Sequence, residues 1–88
     1  MAPERIQINN RQLVMMFAAS CIEWVAASLD RDYLEIFSRM DKAGIIEDYI
    51  IKHYDTLHLE SREHISGELI DLLLDRETAA HKAELQAV

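Results

Sequence analysis

From Leu13 to Leu29 the chain carries an apolar stretch that constrains the fold more than anything else in it. At 100° per residue, Leu13, Val14, Met15, Phe17, Ala18, Cys21, Ile22, Trp24, Val25 and Leu29 cover more than half of a helix circumference. Only a narrow strip with Gln12, Ser20 and Glu23 suits water. A helix this apolar has to be wrapped by others, or in part face another subunit. The pattern therefore predicts an all-α, compact four-helix domain with a central apolar first helix. The stretch approaches membrane length, but Glu23 and the small polar residues around it predict a soluble core helix and no membrane association.

The rest of the chain supplies the wrapping. Residues 1–9 are expected to form a flexible arm, 10–76 the helical domain, and 77–88 a helical extension or a frayed tail. Asn9 and Asn10 offer N-cap side chains to helix one. Asp30 suits an N-cap for a second helix over 31–43, with Tyr33, Leu34, Ile36, Phe37 and Met40 on one face. Gly44 is placed to stop that helix in the left-handed conformation. A short third helix over 46–54 would turn Ile46, Tyr49 and Ile50 inward, with Asp48 and Lys52 as an exposed pair. Ser61 can cap a fourth helix with Ile65, Leu69, Leu72 and Leu73 as its core stripe. No β-alternation competes, and Gly and Pro together number three residues against 50% hydrophobic content, which disfavours sandwiches and disorder.

A net charge of −7 argues against a nucleic-acid groove binder and against attraction to anionic membranes. It suits a basic protein partner. Cys21 is the only cysteine, so no internal disulfide forms, and a cytoplasmic location fits. Cys21 reads as a small buried hydrophobe rather than a nucleophile. A domain of 88 residues buries a modest core, and association is the common remedy, so a homo-oligomer is expected.

Three constellations are candidates for function. On helix four, Glu60, His64, Glu68, Asp71 and Asp75 fall on one face, an acidic stripe suited to a basic cleft or simply to solvent. Gly67, Ile70 and Leu74 form a second strip for a dimer or partner contact, with wide intramolecular burial as the alternative. Tyr54, Asp55 and His58 lie where helix three ends. They would act as an acid–base set, or more simply satisfy backbone groups at the turn. No nucleophile, phosphate loop or oxyanion glycine run accompanies them, so no catalytic residue is assigned. His53, His58, His64 and His81 lack the His-x₃-His spacing of a metal site, and no metal or cofactor is expected.

Phe17, Cys21-Ile22-Glu23, Phe37, Gly44-Ile45-Ile46, Tyr49-Ile50, Tyr54-Asp55-Thr56-Leu57-His58, Ile65, Glu68-Leu69-Ile70 and Leu73 together resemble a small bacterial domain-of-unknown-function family, the group numbered thirty-seven ninety-one. The Tyr-Asp-x-Leu-His element is the most distinctive part. The chain departs from the family pattern at His64 and Gly67, where an aromatic and an acidic residue are usual. Genes of that family often lie beside genes for ADP-ribosyltransferase-like proteins. The resemblance thus implies a non-enzymatic, antitoxin-like protein-binding module that neutralises or regulates such an effector. The alternative is a self-associating structural or phage-encoded accessory protein with no catalytic role.

Overall fold

A computed structural model describes residues 9–86. Among them there is no strand, and the domain is all-α. Four α-helices, α1 (Asn10–Leu29), α2 (Tyr33–Lys42), α3 (Tyr54–Leu57) and α4 (Arg62–Gln86), are joined by a π-helix, Ile46–Ile51, between α2 and α3. The expected flexible arm lies almost wholly outside the described residues; of the expected tail, residues 77–86 continue α4 as helix.

Helix α1 starts where the sequence predicts. The Asn9 side chain accepts from the Gln12 amide at 2.8 Å and the Gln12 side chain accepts from the Asn9 amide at 3.0 Å, a reciprocal capping box. Its end differs from expectation. Asp30 does not cap α2; it stands in the left-handed region at φ 53° and terminates α1. The Arg31 amide donates to Ala26 O and the Asp30 amide to Ala27 O, the double bond pattern that closes a Schellman stop. Asp32 is the true N-cap of α2, accepting from the Leu34 amide at 3.1 Å. Two aspartates two residues apart can each cap a helix; which one does so depends on where α1 stops.

Gly44, at φ +73°, ends α2 as predicted. Arg76 of α4 donates to Ala43 O at 2.8 Å, satisfying one carbonyl that the helix end leaves over. The expected third helix divides. Its first six residues wind as a π-helix, a turn follows, and Tyr54 begins α3. The altered winding leaves Asp48 and Lys52 without the expected ion pair among the described residues. The inward stripe survives: Ile45, Ile46 and Ile50 are buried and Tyr49 is half-buried.

The core joins Cys21, Ile22 and Val25 of α1 with Ile36 and Met40 of α2, Ile45 and Ile50, Leu57, and Ile65, Leu69 and Leu73 of α4. Helix α1 packs against α2, the π-helix and α4, so it is central. Its enclosure is incomplete. Leu13, Met15 and Met16 are 41%, 53% and 56% exposed, because the N-terminal turns of α1 extend past the layer that covers Cys21 and Val25. Likewise Tyr33, Leu34 and Phe37 of α2 remain exposed while Ile36 and Met40 are fully buried. Burial removes Cys21 from solvent and pushes its thiol up to about 12, so it is a packing residue.

Candidate functional site

The corner after the π-helix is an aromatic cluster rather than an acid–base set. The Tyr54 ring stacks on His58, with centroids 4.4 Å apart and 10° between planes. His58 Nδ1 lies 2.6 Å from Tyr54 O. Asp55 makes no hydrogen bond to His58 among the described residues, while His58 pairs with a backbone carbonyl, in line with the simpler of the two readings of this corner. Both side chains are exposed. Behind the stack, Phe17 of α1 meets Tyr54 edge-on at 5.5 Å and Trp24 edge-on at 6.2 Å. The Arg62 guanidinium sits 5.7 Å above the Trp24 ring, tying the start of α4 to α1. Phe17 and Trp24 are thus half-buried pieces of the core edge that hold the Tyr54–His58 corner in place.

The acidic stripe on α4 has two zones. Near its start, Glu60, His64 and Glu68 form a row one helical turn apart. His64 Nε2 lies 3.6 Å from Glu60 Oε2 and 3.1 Å from Glu68 Oε1. The other Glu68 oxygen accepts from the Tyr49 hydroxyl at 3.2 Å, so the π-helix fixes that carboxylate. Burial, then the Glu68 charge, raises the Tyr49 phenol above its ordinary range and keeps it a donor. The second zone is Asp71 and Asp75, both exposed and facing solvent. At 1.5 Å per residue, the face from His64 to Asp75 runs for roughly 16 Å.

Glu60, His64 and Glu68 present ligand atoms within 4.8 Å of one another, a geometry that a divalent cation can use. The His-x₃-His spacing does not mark it; the signal is Glu-x₃-His-x₃-Glu, which puts two ligating side chains on one face of α4 and a third, Glu60, in line just before the helix. The hydrogen bonds within the row account for the same arrangement without an ion.

The second strip is only partly assembled as expected. Gly67 is exposed with nothing within 4 Å of the position a Cβ would take, so no element approaches its backbone. Ile70 packs against the core, and Leu74 is half-exposed. The expected close approach at Gly67 is therefore absent within the subunit, while Leu74 keeps an apolar surface free.

A second cluster anchors the C-terminal half of α4; the i,i+4 spacing of Glu35 and Arg39 is visible in the sequence, whereas the contact to Glu77, 38 residues on, is not. Arg39 of α2 donates to both carboxylate oxygens of Glu77, at 2.9 and 2.7 Å, and more weakly to Glu35 at 3.3 Å. Glu35 is itself held by Arg31 at 2.8 and 2.6 Å. The Arg39 hydrogen bonds pull the Glu77 carboxyl below its ordinary range.

The family of proteins of unknown function DUF3791 matches residues 16–76. The chain belongs to the DUF3791 family. The matched segment includes the whole core, the Tyr54–His58 corner and the α4 face as far as Arg76. It stops just before Glu77, so the final turns of α4 lie outside it. No curated protein and no solved structure matches this DUF3791 chain.

Proposed function

We propose that this DUF3791 domain is a non-enzymatic protein-binding module of antitoxin type, which neutralises or regulates a bacterial effector enzyme resembling the ADP-ribosyltransferases. The observation that carries the reading is the row that starts at Glu60, just before α4, and continues along the rigid helix through His64, Glu68, Asp71 and Asp75. An enzyme that transfers ADP-ribose handles a pyrophosphate and therefore keeps a basic cleft. An acidic helix face laid across that cleft gains charge complementarity and blocks substrate entry. The gene arrangement implied by the family resemblance supports the same partner class. Beside the stripe, the Tyr54–His58 stack offers a flat aromatic surface, a residue type enriched at interface centres.

The test is co-expression with the effector encoded by the neighbouring gene. The expected result is a complex that co-purifies, weakens with added salt and lacks transferase activity. Asp71→Lys with Asp75→Lys, at positions that hold no core contact, is expected to lower affinity about 10–100-fold at low salt while leaving the helical signal unchanged. Equal affinity removes the acidic face from the interface. Failure to form any complex with the neighbouring effector overturns the whole reading.

A further inference from the structure

Where α4 runs past the end of α2, the two helices border a cavity of about 460 Å³. Its charge is not that of the chain as a whole. Arg39, Lys42 and Arg76, three of the nine Lys and Arg side chains, line it together with His81. Two carboxylates, Glu77 and Glu84, face them, and Ala43 and Ala80 complete the wall.

The pairing within this lining is uneven. Arg39 and Glu77 close on each other, so both oxygens of Glu77 are taken. Arg76 donates through Nη1 to Ala43 O at 2.8 Å, which covers the carbonyl end of α2 and fixes the half-buried guanidinium. The Asp48 carboxylate comes near the same guanidinium across Gly44 without forming an ion pair. Neither Arg76 nor Lys42 forms an ion pair with any carboxylate among the described residues. Lys42 precedes Ala43 in the chain and Arg76 bonds its carbonyl, so the two cations meet at one end of the cavity. Glu84 stands eight residues beyond Arg76 on α4, about 12 Å along the axis. The inner end therefore holds two positive charges that no carboxylate of the lining neutralises.

We propose that this cavity binds a small phosphate monoester, its phosphate on Lys42 and Arg76 and its carbon skeleton against Ala43 and Ala80. In a chain of net charge −7 most of the surface repels an anion, and a concave site with surplus positive charge is where one gains. Arginine offers a planar fork and lysine a point charge, the two donors that hold phosphate oxygens. A phosphate monoester carries about −1.5 to −2 at pH 7 and so matches two cations, whereas a carboxylate matches one. The volume falls within the roughly 300–1,000 Å³ of small-molecule sites. Glu77, Ala80, His81 and Glu84 lie beyond the family match, so the part of α4 outside it completes the cavity. The site uses neither the acidic row nor the Tyr54 corner, so it stands or falls independently of the effector reading.

An amide NMR titration of the full chain with inorganic phosphate, at pH 7 and an ionic strength held constant with chloride, tests it. The expected result is saturable shifts at Lys42, Ala43, Arg76, Ala80 and His81, with a dissociation constant on the order of 1 mM. Glycerol phosphate is expected to bind about 2–5-fold more tightly through the added apolar contact, and acetate about 5-fold more weakly. Lys42→Ala should weaken phosphate binding about 10-fold with an unchanged circular dichroism spectrum, because Lys42 is exposed. Arg76→Lys, which keeps the charge and loses the fork, should weaken it about 3–10-fold. Lys52→Ala, outside the cavity, should change nothing. Shifts that stay linear to about 50 mM phosphate, or that are as large at Arg11 and Lys52 as at the cavity, overturn the proposal. So does a Lys42→Ala variant that binds as tightly as the parent, or acetate binding as tightly as phosphate.

Discussion

The Arg39–Glu77 contact is the sharpest test of how the C-terminal half of α4 is held. It joins residues 38 positions apart, and its two hydrogen bonds form the parallel fork that arginine makes with a carboxylate. The side chains are 31% and 34% exposed, between the surface regime and the buried one. Exposed pairs contribute about 0.2–1 kcal/mol, whereas breaking a buried pair costs about 3–5 kcal/mol. Solvent screening at this exposure keeps the coupling near the lower regime, and the fork lifts it to its top, so about 1 kcal/mol is expected. Arg39→Met should cost more than Glu77→Gln, about 1.5–2 against about 1 kcal/mol, because it leaves Glu35 and Glu77 near each other with no cation between them.

The assay is urea unfolding of the parent, both single variants and the double variant, analysed as a double-mutant cycle. The pH dependence adds a signed check. The carboxyl of Glu77 is depressed in the folded state, so its contribution is complete above the unfolded value near about 4.3. It is lost as pH falls through the lower folded value. Parent and Glu77→Gln should therefore differ at pH 7 and converge in strong acid. A coupling below about 0.3 kcal/mol at pH 7, or one that does not fade with acid, refutes the account of this contact.

The two glycines should respond in opposite directions. Gly44→Ala forces a side chain into φ +73° and brings Cβ to 3.0 Å from Asp48 Oδ2 and 3.4 Å from Arg76 Nη1, so a loss of about 1–2 kcal/mol is expected in urea unfolding. Gly67→Ala meets nothing within 4 Å on an exposed helix face, so a gain of about 0.5–1 kcal/mol is expected by the same assay. Leu69→Ala should cost about 2–5 kcal/mol, since Leu69 is fully buried between α4 and the core. Iodoacetamide should leave Cys21 unmodified in the native protein at pH 8 and label it in urea; rapid native labelling would show that the thiol is neither buried nor raised.

Much of the scaffold was legible from local chemistry. Asn9 ahead of the apolar stretch, Gly44 after an amphipathic stretch and Ser61 before the last one mark helix ends through hydrogen bonds or backbone sterics that act within four residues. The apolar stripe of Ile65, Leu69 and Leu73 is equally local, because 3.6-residue periodicity places those side chains on one face whatever they meet. The α4 row of Glu60, His64, Glu68, Asp71 and Asp75 was readable for the same reason.

Other features depended on what each segment packs against. Whether Asp30 or Asp32 caps α2 was decided by the left-handed turn that brings α2 back along α1. Residues 46–51 wind as a π-helix rather than the expected α-helix, with Tyr49 donating to Glu68 and Ile46 and Ile50 in the core. The chain by itself determined an all-α domain, its main helix ends and an acidic helix face, because those follow from interactions between near neighbours. The apolar sequence of α1 also marked it as central; tertiary structure alone decided that it is only partly covered, since coverage depends on how far the helices around it reach, and no local pattern encodes that length.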